Sequence, residues 1–269
     1  MIKKYRRPYR VKKKKPIFRN RFFWLGILIF VVIVGIFYLI CFSSFFQIKE
    51  IKISGNQKVS IENLENLVRE KIGQKILFFP SESIFLANLK EINEAILEKF
   101  PQLAKVNLKR SFPDTMLIEI EERKPVAIFL QNENIFFIDR EGIIFEQVVD
   151  VKPQQIIIRN LDATKELKLG EKVIEKELLS KILEIEFKLK TDLKIESPEI
   201  LVVSEERLNV KTSEGWEIYF NLEGDINWQL TKLQAVLEKE IPLERREDLE
   251  YIDLRFGNLA PFKYRAAAR

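Results

Sequence analysis

An uncharged apolar run at residues 22–42 limits what this chain can fold into more than any other feature. As a helix that rises about 1.5 Å per residue, it matches the roughly 30 Å hydrocarbon core of a bilayer. Eleven Lys and Arg and no acid lie between Lys3 and Arg21. The run is too long, and too poor in small residues at its end, for a typical removable signal peptide. The sequence therefore predicts a permanent membrane helix at 22–45, a cytoplasmic basic tail at 1–21 and all later residues outside the cytoplasm.

The net charge belongs to the tail. The chain carries 45 Lys and Arg against 40 Asp and Glu, and without the eleven basic residues of the tail the balance becomes 34 against 40. Residues 22–269 are therefore acidic, which argues against a nucleic-acid partner. We interpret the tail as a topology signal that also contacts anionic lipid. Recruitment of a cytoplasmic partner by the tail is the alternative.

Residue usage argues against catalysis. The chain has no histidine, and its one cysteine, Cys41, lies in the apolar run. His-based triads, His metal sites and disulfides in the outer part are thereby excluded. The sequence also lacks a Ser-x-x-Lys pair, a Gly-rich phosphate loop and an acidic metal-ligand run. We expect no catalytic residue, metal, cofactor or small-molecule substrate, although a glycosidase that uses carboxylates alone stays open.

Residues 46–124 predict the order strand, helix, helix, strand, strand. Residues 46–53 alternate apolar and polar side chains, as a half-buried strand does. Helical spacing then covers 61–71 and a second stretch from about 84 or 88 to Phe100, where Pro101 ends it. Apolar alternation around Val106 and Ile118 gives two strands. The apolar residues 76–79, in a loop at 74–83, are expected to be tucked under the fold.

Residues 125–264 predict a second, β-rich domain with two helices. The turn at 139–142 makes a hairpin, and strands at 208–210 and 216–222 are expected to pair across 213–215. Apolar stripes place helices at 173–189 and 226–240, where core packing is the simplest role of the stripe. The predicted fold class is α+β, and residues 265–269 are expected to fray.

Six short motifs, in order behind a single anchor, resemble the FtsQ/DivIB family of bacterial cell-division proteins. They lie at 46–56, 100–101, 109–115, 120–127, 138–145 and 251–256. The resemblance implies a transmembrane helix, a POTRA domain at 46–124 and an FtsQ-type β domain at 125–264. Among the residues of these motifs, those implied to support the fold are Gly55, Pro113, Asp114, Glu122, Pro125, Asp139, Gly142, Asp253 and Arg255.

Each motif also has an explanation independent of ancestry. Residues 121–124 form a charged run that fits a solvated strand end whose local charge pairs contribute well under about 1 kcal/mol each. Asp253 and Arg255 share one face of the predicted last strand. They either pair with each other or neighbours, or contact a partner directly.

The resemblance also implies partners. In the family, the C-terminal strand region docks the small bitopic division proteins FtsB and FtsL, which by position implicates Phe256, Asn258, Leu259, Phe262 and Tyr264. A strand that merely closes the β domain is the alternative. The POTRA domain is implied to help place the protein at the division site through a recruitment face of Ile92, Lys105, Leu108 and Arg110, which could equally be ordinary surface.

These expectations define one hypothesis and two rivals. The first is a non-catalytic scaffold of the divisome, in the cell (inner) membrane at the division septum, that binds FtsB- and FtsL-like proteins and other divisome proteins. The second is a POTRA-bearing protein of a translocation or outer-membrane assembly system. The third is a membrane-anchored wall hydrolase.

Overall fold

The computed structural model describes residues 21–76, 79–149, 156–160 and 166–265, without the side chains of 74–80 and 160. The predictions for the tail at 1–20, for burial of the apolar residues 76–79 and for residues 266–269 lie outside the described residues. The described α-helices are α1 (Arg21–Phe42), α2 (Ile61–Ile72), α3 (Leu89–Lys99), α4 (Lys176–Thr191) and α5 (Ile226–Lys239).

The strands occupy both the middle and the end of the chain. They are β1 (Glu50–Ser54), β2 (Gln74–Ile76), β3 (Phe79–Ser81), β4 (Leu103–Ser111), β5 (Thr115–Glu122), β6 (Ala127–Gln131), β7 (Asn134–Ile138), β8 (Ile144–Val148), β9 (Ile157–Asn160), β10 (Glu199–Val202), β11 (Arg207–Lys211), β12 (Glu217–Asn221), β13 (Leu249–Asp253) and β14 (Phe262–Tyr264). A 3₁₀ helix at Leu243–Asp248 precedes β13. This mixed composition confirms the predicted α+β class.

The chain divides into two compact units. The first takes its described residues from Met1–Ile53, Glu62–Asn93 and Leu108–Ile118, and the second from Ser54–Ile61, Glu94–Asn107 and Glu119–Arg269. A three-stranded sheet has the order β1, β5, β4. In the first unit, Ile84 N–H donates to Phe46 O at 2.9 Å and Ile48 N–H donates to Glu82 O at 3.0 Å. These bonds join the segment after α1 to the segment after β3.

The second unit is built on a nine-stranded sheet in the order β14, β13, β12, β11, β10, β9, β6, β7, β8. Its strands are antiparallel except where β9 joins β6 and β10, and where β12 joins β13. The apolar stripes of α4 and α5 share one buried core with the sheet, as predicted, and this core includes Ile185, Leu233, Trp216 and Phe220. Asp225 caps α5, because its carboxylate accepts the N–H of Asn227 and of Trp228.

Local boundaries differ from the expectations in two places. The stretch at 74–83 was expected to be a loop, but it contains the short hairpin of β2 and β3. The helix expected from residue 173 begins at Lys176, because Val173 N–H donates to Gly142 O and holds the preceding segment extended. The expected pairing of 208–210 with 216–222 is confirmed, since β11 and β12 are antiparallel neighbours.

Candidate partner-docking site

The nine-stranded sheet ends in β14, which lies within the segment expected to dock a partner. β14 pairs antiparallel with β13, so that Lys263 lies opposite Tyr251 and Phe262 lies opposite Ile252. In the described part of the chain, β13 is the one strand beside it. An end strand of this kind presents a row of backbone donors and acceptors to which a further strand can add.

Two hydrogen bonds show which backbone groups of β14 face outward. Asp253 N–H donates to Pro261 O and Arg265 N–H donates to Asp248 O, each at 2.8 Å. Because backbone groups alternate in direction along a strand, positions 261, 263 and 265 turn toward β13. The N–H and C=O groups of Phe262 and Tyr264 therefore point to the open side of the strand.

The five docking candidates divide into an exposed and a half-buried set, which together we name the docking edge. Phe256 and Leu259 protrude from the loop before β14 with 54% and 72% of their surface exposed, and Asn258 lies exposed between them. Phe262 and Tyr264 are half-buried, with ring centroids 5.6 Å apart. The structure thus places two exposed apolar side chains beside an open strand.

Lys232 of α5 fixes the loop that carries the exposed set. Only 6% of this lysine is exposed. Its ammonium donates to the carbonyl oxygens of Leu254 at 2.6 Å, Gly257 at 2.9 Å, Leu259 at 3.2 Å and Phe256 at 3.3 Å. One side chain therefore determines the path of the backbone from 254 to 259.

The role of Lys232 was missed by sequence reasoning. A lysine between the apolar positions of a helix usually extends its stem along the surface and keeps its charge in water, so its type and position carried no signal. Burial lowers the pKa of Lys232, while the charge of Asp253 acts in the opposite direction. A buried ammonium needs acceptors for its three protons, and the loop at 254–259 provides them.

Asp253 and Arg255 form a bidentate pair at the start of the same loop. Arg255 Nε donates to Asp253 Oδ1 at 2.9 Å, and Nη2 donates to Oδ2 at 2.6 Å. Burial raises the pKa of Asp253, but hydrogen bonds from the Arg255 side chain and backbone outweigh it, so that the pKa lies below its usual value. Arg255 lies beyond the end of β13. Of the two alternatives left open by the sequence, the structure shows the two residues paired with each other, and Arg255 is not on the strand.

Cation–π contacts border the docking edge. The guanidinium of Arg245 lies 4.0 Å from the ring centroid of Tyr264, and that of Arg255 lies 5.6 Å from the centroid of Tyr219. Tyr219 in turn stacks on Tyr251 at 5.0 Å. Burial raises the pKa of Tyr219. Rings held in this way are ordered before any partner arrives, which lowers the entropy lost on binding.

The end of β5 lies against residues 55–59. The Glu122 carboxylate accepts the N–H groups of Gln57 at 2.6 Å, Lys58 at 2.8 Å and Val59 at 3.0 Å. Burial raises its pKa, but the hydrogen bonds from Val59, Gln57 and Lys58 outweigh it and lower the pKa overall. Gly55 has φ +88°, and a Cβ at this position would lie 2.1 Å from the carbonyl oxygen of Ile120.

Arg123 and Asp139 form a buried ion pair, with 12% and 8% of their side chains exposed. Arg123 Nε also donates to Pro101 O at 3.0 Å, and Asp139 Oδ1 accepts the N–H of Ile143 at 3.0 Å. A Cβ on Gly142, at φ +78°, would lie 1.9 Å from a backbone oxygen. The interpretation of 121–124 as a solvated strand end is therefore wrong for two of its residues. Arg123 is in a buried ion pair, and Glu122 binds three backbone N–H groups.

The other motif residues lie in turns and connections. Asp114 follows the turn at Pro113, accepts the N–H of Lys49 on its backbone oxygen at 2.9 Å, and pairs with the Lys49 ammonium at 3.3 Å. Pro125 is exposed in the segment between β5 and β6. Asp114 thus has turn geometry and a local ion pair, whereas Pro125 lies in an irregular connection.

The expected recruitment face is wrong at Ile92. This side chain has 1% of its surface exposed, so no partner can contact it in this conformation. Lys105 is exposed and Leu108 is half-buried. Arg110 donates to the backbone oxygens of Ile84 and Ala87, each at 2.7 Å, so that its guanidinium serves the first unit's own backbone.

In the part of the chain that the structure describes, no three His, Cys, Asp or Glu side chains are grouped to hold a metal ion. The one helix there that is long and apolar enough to cross a membrane is α1, whose most apolar 18-residue window has a mean hydropathy of 3.1. Among the site residues predicted from the sequence, the structure places the five of the docking edge near one another.

Comparison with known proteins gives two adjacent family matches. Residues 46–123 match the POTRA domain, FtsQ-type, and residues 127–255 match the C-terminal domain of the cell division protein FtsQ/DivIB. The chain is 26% identical over 129 residues to the cell division protein DivIB of Clostridium acetobutylicum, over 48% of each chain. It is 22% identical over 180 residues to DivIB of Clostridium tetani, over 66% of this chain and 64% of the other.

A further relative carries the second family name. The chain is 29% identical over 92 residues to the cell division protein FtsQ of Syntrophotalea carbinolica, over 34% of this chain and 32% of that protein. The chain spans less than two thirds of the length of each of these three curated relatives.

Proposed function

We propose that this protein is a non-catalytic scaffold of the divisome in the cell membrane. The proposal starts from the family, since the chain belongs to the FtsQ/DivIB cell division proteins. In this proposal α1 anchors the protein, the POTRA domain at 46–124 helps to place it at the division site, and the β domain at 125–264 binds FtsB- and FtsL-like partners. The protein would thereby connect septal wall synthesis outside the cytoplasm with the division ring inside it.

The observation that carries the proposal is the docking edge. A partner strand that added to β14 would bond to the outward N–H and C=O groups of Phe262 and Tyr264. Phe256 and Leu259, both exposed, would supply apolar contact next to that strand. Backbone hydrogen bonds then give affinity, and the side chains beside them give specificity. No chemical step is needed for this function.

Anchoring is supported by the length and composition of α1. Its 22 residues span about 33 Å at about 1.5 Å per residue, and its window of 18 residues is strongly apolar. The eleven basic residues up to Arg21 favour a cytoplasmic N-terminus. The second unit would then lie outside the cytoplasm, where the bitopic partners expose their own outer segments.

The proposal is tested by location and by partner capture. A fluorescent protein fused to the N-terminus of the full chain should form a band at midcell before constriction. A uniform rim would contradict a role in division.

Partner capture then tests the edge itself. The full chain in detergent micelles should capture the FtsB-like protein of the same organism, and Phe256→Lys should abolish capture, because an ammonium replaces an apolar contact. Phe187→Lys is the matched control, since Phe187 on α4 is also exposed, at 62%. If Phe256→Lys captured the partner as well as the unaltered chain and Phe187→Lys do, the edge would not be the docking site.

A further inference from the structure

The last turn of α1 is bonded to the rest of the first unit. Cys41 O accepts the hydroxyl of Ser81 at 2.5 Å and the side-chain amide of Gln47 at 3.3 Å, and Ile40 O accepts the hydroxyl of Ser83 at 2.6 Å. The last carbonyls of a helix have no partner within the helix, and hydrocarbon offers no water to replace one. The segment at 81–83 therefore satisfies these groups and lies level with the end of α1.

Four phenylalanine rings extend from this point as a continuous cluster, which we name the aromatic patch. Phe45 contacts Phe46, Phe46 contacts Phe85, and Phe85 contacts Phe112, with ring centroids 5.0, 5.1 and 5.1 Å apart. Phe46 is half-buried, whereas Phe45, Phe85 and Phe112 have 59%, 40% and 58% of their surface exposed. Clustered exposed rings of this size usually mark a binding surface.

The backbone beneath the aromatic patch is fixed in place. Arg110 holds the segment that carries Phe85, because its guanidinium donates to Ile84 O and Ala87 O. Ile84 N–H donates to Phe46 O, which fixes Phe85 relative to Phe46. These bonds order the rings in advance, so they lose little conformational freedom when they are covered.

We propose that the aromatic patch inserts into the outer interface of the bilayer that α1 crosses and sets the orientation of the first unit on the membrane. This proposal rests on the anchoring function proposed for α1. With α1 filling the hydrocarbon core, Phe45 follows its last residue by three positions and lies in the interfacial layer, which is roughly 5–7 Å deep on each side. Aromatic side chains are enriched in this layer.

Lipid is the occupant that the geometry favours. Gln47, Ser81 and Ser83, on the segments next to the patch, donate to the last carbonyls of α1. The patch is therefore held near the membrane surface while α1 spans the bilayer. Exposed phenylalanine at that level contacts lipid without any further partner. The patch and α1 then hold the first unit at two positions, which restricts rotation about the connection at Ser43 and Ser44.

The test places an indole in the patch and measures its contact with lipid. The full chain with Trp24→Phe and Phe112→Trp is reconstituted in vesicles of phosphatidylethanolamine and phosphatidylglycerol, with or without bromine on the acyl chains near the headgroups. Emission of the Trp24→Phe parent is subtracted to remove Trp216 and Trp228. The matched control is Phe187→Trp in the same parent, because Phe187 is 62% exposed and Phe112 is 58% exposed.

Brominated lipid should quench the tryptophan emission of Phe112→Trp and leave that of the control, Phe187→Trp, unchanged. Phe45→Trp, a second exposed site of the patch, should behave like Phe112→Trp. Unquenched emission at both 112 and 45, with native Trp24 quenched in the unaltered chain, would overturn this inference alone and assign the patch to a protein partner. Unquenched Trp24 would show that α1 is not in the bilayer, and would overturn the anchoring function as well.

Discussion

Lys232 is the side chain on which the order of the loop at 254–259 depends. It brings one positive charge to four backbone oxygens between 254 and 259, while only 6% of it reaches solvent. Asp253 and Arg255 hold the start of the same loop by a bidentate pair. Phe256 and Leu259 are therefore presented on a backbone that side chains from two other elements, α5 and β13, keep in position.

Replacement of Lys232 by methionine should loosen this loop without unfolding the sheet. Methionine keeps the aliphatic stem but leaves the loop carbonyls without their donor. The loss should lower the free energy of opening of this loop by about 1–3 kcal/mol. Amide hydrogen exchange of the full chain in micelles should become about tenfold faster or more at 254–259 and stay unchanged in β11 and β12. Lys239→Met, at the exposed end of the same helix, is the control and should change neither region. Unchanged exchange at 254–259 in Lys232→Met would contradict the role assigned to this lysine.

Glu122 and Arg123 show how neighbouring charges take different structural roles. Glu122 accepts three consecutive backbone N–H groups, whereas Arg123 pairs with buried Asp139 and binds the carbonyl of Pro101. The sequence presents both within one charged run. What distinguishes them from solvated side chains is their partners, which are distant along the chain. The partners of Glu122 lie 63 to 65 residues before it, and Asp139 lies 16 residues after Arg123.

β14 is a short element whose proposed role in docking depends on its position at the end of the sheet. Its three residues pair with β13 on one side, and the outward backbone groups belong to Phe262 and Tyr264. Lys263, between them, pairs with Glu250 at 2.7 Å across the two strands. A charged side chain on an end strand discourages unspecific pairing with other chains.

Two substitutions of Tyr264 separate strand addition from side-chain contact. Tyr264→Ala and Tyr264→Pro both remove the ring and its contact with Arg245, but only proline also removes the outward N–H. Proline is tolerated on an end strand when its nitrogen faces outward, so the sheet should persist. The proline variant loses one hydrogen bond to the partner, which is worth about 0.5–1.5 kcal/mol. A titration should therefore show that it binds the FtsB-like partner about 2–10-fold more weakly than the alanine variant does. Equal affinities would argue against strand addition at β14.

In the proposed function, α1 and the basic tail together set the side of the membrane on which the two units act. The side chains of Gln47, Ser81 and Ser83 bind the end of the apolar helix to the rest of the first unit. The proposed orientation therefore fixes the side on which the docking edge meets its partner. The acidic balance of residues 22–269 is consistent with this separation of the basic tail from the rest.

The orientation is tested with one cysteine in the basic tail and one at the end of α5. In a Cys41→Ser background, Lys3→Cys and Lys239→Cys each introduce one thiol. A maleimide that cannot cross the cell membrane should label position 239 in spheroplasts, and position 3 only after lysis. Labelling of position 3 in unbroken spheroplasts would contradict the cytoplasmic placement of the tail.

Local sequence pattern was enough to predict the apolar helix, the α+β class, the hairpin of β11 and β12, and the family. Each follows from hydrophobic period, turn residues or short motifs, which neighbouring residues carry. The folded chain was needed to find the roles of Lys232, Glu122 and Arg123, the burial of Ile92, and the bonds of Ser81 and Ser83 to α1. These depend on partners distant along the chain, and a side chain's type does not reveal which distant carbonyl or carboxylate the fold will bring to it.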